Sequence, residues 1–416
     1  MSYLSKALSA LGYKTELEQQ NVIILFHISG ALPGIIPENP WDNIISSQFI
    51  DDDTFYTTTD SESIPGTFCS AIQALNWLND IVQDRRSSLR PSNTERQQMS
   101  LPEELQPHKD FILDMLNQLG FTSEIVPNTP DVFSLMILGA AEKSVVLRFN
   151  AAAQMIKEGK IKPEKIIIVS GARDLWPDNS DHTMMGEPST LDLVVQRIGT
   201  TSDHLSMRET IKSEFDIRFQ DVDPKDGNEV IKARNNIAEE ISHQYQIVWP
   251  TEADMMEELI KKNDILNQLP ISVVHAPKIP IKHEQKVILK RPTTQSSLEE
   301  TIKLYGEELL SKDIAVMSSQ PHAKYQQGVI WQVMPPSQYN IHMAASAIPA
   351  VLPDAISSEL LAAIGLEAFL SSIYALKGQA EAQLTQDMKE TEMTCYHGAP
   401  SPTANDGSSS CVIQEL

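Results

Sequence analysis

Four short stretches of this chain combine the small and polar residues from which ligand sites are built. Gly139-Ala140-Ala141 is followed by Arg148, and Ser170-Gly171-Ala172 closes an apolar run. Thr293-Thr294-Gln295-Ser296-Ser297 precedes Glu299, and Ser318-Ser319-Gln320-Pro321-His322 is followed by Lys324. Gly and Ala let a backbone approach a ligand closely, and the free N–H groups of a helix start favour an anion. Arg148 and Lys324 add cations, and His322 adds a group that exchanges protons near neutral pH. Each also has a plain structural reading. Arg148 is as well suited to a buried carboxylate partner, and His322 to a hydrogen-bonded place in the core. Asp174, Asp178, Asp181 and His182 lie close to Ser170-Gly171, but irregular loops are commonly acidic and no metal site is assigned to them.

These stretches share a site only if the elements around them bring them to one edge. Apolar runs at 132–138, 165–169, 271–275, 314–318 and 339–344 alternate with helical periodicity at 145–157, 252–262 and 297–310, and with a helix after Pro321. Ile166-Ile167-Ile168-Val169 is continuously apolar, as a strand buried on both faces of a parallel sheet must be. The pattern predicts a Rossmann-like α/β fold, a parallel sheet sandwiched by helices with right-handed crossovers. Ligands in such folds bind beyond the strand carboxyl ends, where all four stretches fall. Residues 173–250 break the alternation and read as an insertion with its own helices at 189–197 and 228–241.

The N-terminal 84 residues read as a smaller α/β block. A helix at 3–11 stops at Gly12, a β-rich run at 21–28 ends in Ser29-Gly30-Ala31, Asp51-Asp52-Asp53 and the Thr/Ser cluster after it read as loop, and a helix covers 71–82. Residues 3–13 line up with 111–121, each a helix, a Gly and an aromatic residue leading to a run that ends Gly-Ala. The match fits a partial duplication, or the ordinary use of Gly to end helices. Residues 85–108, polar and carrying Pro91, Pro102 and Pro107, read as a linker. The main α/β domain is then 109–382, and 383–416 a disordered tail.

Composition narrows the function classes. Of 416 residues, 41% are apolar and 21% charged, with 56 Asp and Glu against 33 Lys and Arg for a net charge of −23. No contiguous Lys/Arg run offsets this, which argues against nucleic-acid binding. Cys69, Cys395 and Cys411 lack metal-ligand spacing and are too few for a disulfide scaffold, which fits a reducing, cytoplasmic setting. The most apolar stretch, 344–376, is broken by Pro349, Pro353, Asp354, Glu359 and Glu367, so it reads as an amphipathic helix over 356–376 packed on a domain, not a membrane span.

Taken in order, the same residues resemble the YdcF/SanA/ElyC-like family, domain of unknown function 218. That family has a Gly-rich turn after its first strand, then Arg and an Ala-rich helix ending in Gly; here these are Leu138-Gly139-Ala140-Ala141, Arg148, Ala151-Ala152-Ala153 and Gly159. Its Ser-Gly-Gly is similar to Ser170-Gly171-Ala172, and its acidic residue and Ala at a helix start to Thr251-Glu252-Ala253. Its Ser-x-Asn-Thr-x-Glu-Asn turn resembles residues 294–300, and its Ser and His-x-x-Arg resemble Ser319 and His322 to Tyr325. The resemblance covers about 132–345 less the insertion. Ser296 and Glu300 replace the family's Asn, and Tyr325, with Lys324 beside it, replaces its Arg. These departures point to an altered ligand or a retired site.

The resemblance implies a Rossmann-like fold, and for one branch S-adenosylmethionine binding, but no reaction. The expectation is a small phosphorylated or nucleotide-like ligand, hydrolysed or transferred. Glu252 or His322 would act as general acid/base, Arg148 or Lys324 as anion contacts, and Gly139, Ala140, Ser170, Gly171, Thr294, Ser297, Glu299 and Ser319 as the lining. Glu252 has its own bland alternative, a first-turn acid complementing the helix dipole. The other function class is an interaction protein. The acidic segment 387–392 and the end Val412-Ile413-Gln414-Glu415-Leu416 resemble the export signal of type IV-secreted bacterial effectors, which would place the chain in a host cell against a host protein.

Overall fold

The computed structural model describes residues 2–30, 54–59, 62–90, 99–175, 189–199, 204–219, 227–283, 286–348 and 357–397. At its N-terminus, helices α1 (Tyr3–Ala10) and α2 (Glu16–Ile28) are followed by a hairpin of β1 (Thr54–Thr59) and β2 (Glu62–Thr67). Helix α3 (Ala71–Leu89), a 3₁₀ segment (Glu103–His108) and α4 (Lys109–Gln118) complete this layer.

Three N-terminal expectations are corrected. The β-rich run at 21–28 is the body of α2. Thr15 and Glu18 form a capping box, in which Glu18 Oε2 accepts from the Thr15 N–H at 2.9 Å and the Glu18 N–H donates to Thr15 Oγ1 at 3.2 Å. A continuous apolar run does not separate a buried strand from a buried helix; the cap in front of it does. The Thr/Ser cluster after Asp53, read as loop, forms the β1–β2 hairpin instead. The proposed linker is also largely structured: α3 runs through Leu89, and Met99, Leu101 and Leu105 are buried in the same apolar core as α1 and α2.

The alignment of 3–13 with 111–121 does correspond to a shared local structure. Gly12 at φ +98° and Gly120 at φ +76° end α1 and α4 in matching turns. In both, the following aromatic N–H returns to a carbonyl in the last helical turn: Tyr13 to Leu8 at 3.0 Å, and Phe121 to Leu116 at 2.8 Å. The likeness stops there, because α2 is a helix and its counterpart is a strand.

The central sheet starts with β3 (Asp131–Leu138), α5 (Glu142–Lys157) and β4 (Lys162–Gly171). The insertion follows as α6 (Ser189–Ile198), α7 (His204–Phe219) and α8 (Gly227–Tyr245). Helix α9 (Glu252–Lys261) leads to β5 (Ile271–Ala276), then to a hairpin of β6 (Ile279–His283) and β7 (Lys286–Lys290). The chain continues through α10 (Thr294–Leu309), β8 (Asp313–Ser319), α11 (Ala323–Val333), β9 (Asn340–Ser346) and α12 (Ser358–His397).

Five strands pair in parallel in the order β5-β4-β3-β8-β9, so the α/β, Rossmann-like sandwich is the observed fold. Apolar side chains of α5 and α9 cover one face, and those of α10 and α11 the other. The chain moves outward from β3 in one direction through β4 and β5, and in the other through β8 and β9. The β3/β8 boundary is therefore the topological switch point.

The insertion is tied at its neck. The Leu175 N–H donates to the Pro250 carbonyl at 3.1 Å, the Glu252 N–H to the Arg173 carbonyl at 2.8 Å, and the Trp249 indole to the Leu175 carbonyl at 2.7 Å. Beyond the neck, Val194, Ile211, Phe215, Ile237 and Ile241 form a separate small core closed by Trp249.

Helix α12 runs well past the expected 356–376, through the start of the segment read as disordered tail; Leu384 on it is buried, and 398–416 lie outside the described residues. Its Phe369 packs between Phe26, at 5.3 Å between ring centroids, and Phe121, at 5.8 Å. Its Ala375 belongs to the sheet core. By length and composition Ser358–Lys389 would cross a bilayer, but 72% of its most apolar window is buried inside the protein.

Candidate functional site

Leu138, Gly171 and Ser319 end neighbouring parallel strands, so the first, second and fourth stretches do meet at one sheet edge. Gly139 follows β3, with its N–H on the Val169 carbonyl at 2.8 Å. Glu252, the first residue of α9, comes down over this junction, and its Oε1 accepts from the buried Ser170 hydroxyl at 3.0 Å. A Cβ at position 139 would lie 1.9 Å from Glu252 Oε1, so only glycine leaves room for the carboxyl. Arg173 approaches the other oxygen, Nη1 to Oε2 at 3.9 Å.

Glu252 is held there by the start of its helix. Asp254 Oδ2 accepts from the Thr251 N–H at 2.7 Å and from its hydroxyl at 2.6 Å, and Arg197 of the insertion grips Asp254 Oδ1 at 2.6 Å. Burial pushes the Glu252 carboxyl above its ordinary 4.5, against the opposing pull of the Arg173 charge, the Ser170 hydrogen bond and the more distant Arg148 and Arg291. A raised pKa makes a carboxyl hold its proton more readily, which suits a general acid.

A small, partly open pocket, with room for about one water molecule, lies against this carboxyl. Ala140, Ala141, Glu142, Arg173, Asp174 and Glu252 are among its walls. Helix α5 starts at this wall with no side-chain cap on Ala141. Lys278 offsets the charge of Asp174 at 2.6 Å.

The remaining predicted residues are placed differently. Arg148 is buried, and its guanidinium spans the switch point: Nη1 donates to the Leu138 carbonyl at 2.6 Å and the Gly139 carbonyl at 2.9 Å, and Nη2 to Ser319 Oγ at 3.1 Å. It clamps β3 to β8 in the crevice where such folds usually admit a ligand. Gly171 packs under Pro292, whose Cγ would lie 2.4 Å from an added Cβ. Ser297 is buried in α10 and its carbonyl accepts from the Thr301 hydroxyl; Thr294 is half-buried, and Glu299 is exposed and accepts from Gln295 at 2.9 Å.

His322 begins α11 at the same sheet edge, but on the α10/α11 face and outside the cleft that Glu252 lines. Its neighbours are committed to the N-terminal layer, since Gln320 donates to the Gly120 and Ser123 carbonyls at 2.9 and 2.8 Å. Lys324 donates to the Leu119 carbonyl at 2.9 Å, with its Nζ 4.5 Å from the Tyr13 ring centroid and 5.2 Å from that of Phe121. Desolvation lowers its pKa to about 8.

Sequence reasoning missed Arg173 and Glu142 as parts of the pocket wall, and Lys278 as the partner of its Asp174. The only signal was position: Arg173 stands one residue beyond Ser170-Gly171-Ala172. Asp174 now has Lys278 as its partner, while Asp178, Asp181 and His182 lie outside the described residues.

The fold and site define a Rossmann-like α/β protein with a buried acid at the carboxyl end of its sheet. Compared with models of known families, with curated proteins and with solved structures, the chain has no significant match.

Proposed function

We propose that the cleft over β3 and β4 binds a small nucleotide-like or otherwise phosphorylated ligand, and that Glu252 is its general acid/base in hydrolysis or group transfer. The observation that carries this reading is Glu252 itself, a buried, hydrogen-bonded carboxyl lining a small pocket beside Arg173. Burying an acid without a full ion pair is costly, and such groups concentrate at functional sites. The mixture of carboxylates with one guanidinium suits a ligand bearing both hydroxyls and an anion. S-adenosylmethionine and nucleotides both belong in the test, as do sugar phosphates. The YdcF-like resemblance is part of this proposal.

The test is a thermal-shift screen of these ligands on the full chain and on Arg173→Ala and Glu252→Gln. A true ligand at a hundred times its Kd stabilises by about 2.7 kcal/mol. We expect Arg173→Ala to lose that shift, and Glu252→Gln to keep binding but lose turnover. Shifts that persist in Arg173→Ala, or a screen with none, would end this reading.

A second reading, a protein-interaction module with a retired site, is favoured by one observation: Arg148 fills the switch-point crevice with the protein's own guanidinium. It predicts that no ligand in the screen stabilises the chain and that a partner protein does. A host protein met after translocation is the partner class in that case.

A further inference from the structure

The β6–β7 hairpin stands as a separate two-stranded sheet between β5 and α10. In a chain of net charge −23, its segment carries Lys278, Lys282, Lys286, Lys290 and Arg291 against Glu284 alone. Spaced about four apart, these cations do not read as a basic run, and the hairpin sorts them onto its two faces.

Both legs of the hairpin are fixed to the cleft. On the incoming leg Lys278 holds Asp174 of the cleft wall at 2.6 Å. On the outgoing leg Pro292 packs on Gly171, and the Arg291 charge reaches Glu252. Cross-strand pairs are Ile279 with Lys290, Pro280 with Leu289 and Lys282 with Val287. Side chains alternate along strands, so Lys282 and Leu289 share the hairpin face to which Lys278 and Arg291 fall by the same alternation, and Lys290 falls on the opposite face. Lys282 and Lys290 are both exposed, and Leu289 is 60% exposed. Lys282 stands four residues beyond Lys278, roughly 14 Å at about 3.4 Å per residue.

We propose that this face is an arm for the distal anionic end of an extended ligand, with Lys282 contacting a phosphate that projects from the cleft past Arg291. The inference rests on the cleft reading above and narrows its ligand class to polyphosphates, such as nucleoside di- or triphosphates. A protein or membrane surface would need no attachment of the hairpin to the cleft walls; a ligand that spans both does.

The probes are inorganic phosphate, pyrophosphate and tripolyphosphate, titrated calorimetrically at matched ionic strength into the full chain, Lys282→Ala and Lys290→Ala. Each substitution removes one exposed charge, so non-specific attraction changes equally. We expect affinity to rise along the series in the intact chain. Lys282→Ala should weaken tripolyphosphate about tenfold or more and leave phosphate unchanged, the scale of one charge-assisted contact. Lys290→Ala should match the intact chain. A flat series, or two variants that behave alike, would overturn the arm and leave the cleft standing if Arg173→Ala still abolishes ligand-induced shifts. If no phosphate of any length binds, the cleft reading and the arm fall together. Binding to phosphatidylserine vesicles that needs Lys282, without small-anion binding, would also overturn it and make the hairpin a membrane contact.

Discussion

Lys324 was expected at an anion site, and its surroundings instead make it a joint between layers. Its ammonium lies between the Tyr13 and Phe121 rings and on the Leu119 carbonyl, where the two Gly-ended turns of α1 and α4 meet α11. Desolvation lowers its pKa from 10.5 to about 8, with Glu18 opposing. Between those values the unfolded chain holds a proton that the folded one has released, so stability rises with pH from about 8. Above pH 10 the buried Tyr13 phenol, whose pKa burial raises, pulls the other way. Denaturant titrations should show the rise between pH 8 and 10, at no more than about 1.4 kcal/mol per pH unit, and Lys324→Met should remove it. An identical slope in the methionine variant would show that another group is responsible.

Two glycines on the α11–α12 pair separate packing from propensity at the scale of elements. At Gly328 an added Cβ would lie 2.6 Å from the Ala375 carbonyl carbon and 2.7 Å from its Cβ, so the helices cross at a contact that only glycine permits. Gly378, three residues beyond Ala375, is exposed, with nothing within 4 Å of its added Cβ. Gly328→Ala should therefore destabilise by about 1–3 kcal/mol, the usual cost of overpacking. Gly378→Ala should stabilise by about 0.5–1 kcal/mol, because alanine loses less backbone entropy in a helix. Urea unfolding of the pair tests this, and the same sign for both would refute the crossing geometry.

For the whole molecule, the neck at 173–175 and 250–252 makes the insertion separable in principle, since its ends are paired and most of its buried side chains form a core of their own, although Leu193 joins the sheet-side core. Replacing residues 177–247 with a short Gly/Ser linker should leave cooperative unfolding intact and the cleft able to bind, because a closed neck adds little loop entropy. The loss of the Arg197–Asp254 contact should appear as a modest fall in Tm. A variant that melts without a cooperative transition would show that the three insertion helices are part of the main fold. By contrast α12 is not separable. Its Phe369 is buried in the N-terminal core and its Ala375 in the sheet core, so one helix joins the two layers.

The sequence alone determined the sheet. Ile166 to Val169 is apolar at every position, and alternation with amphipathic helices leaves a parallel α/β arrangement as the way to bury such strands on both faces. It also placed Gly139, Ser170, Ser319 and His322 at strand ends, because a strand's end is marked locally by small and polar residues. It did not determine which of them share a cleft. Arg148 and Arg173 differ little as residue types near strand ends, yet the first is buried across β3 and β8 and the second borders the opening over Glu252. Nor could the apolar run alone show that 21–28 is a helix, which the Thr15–Glu18 cap ahead of it does, or that α12 completes the N-terminal core. An apolar run records only that it is buried. What it is buried against is fixed by partners as distant as Phe26 and Phe369, and those contacts exist only once the chain has closed on itself.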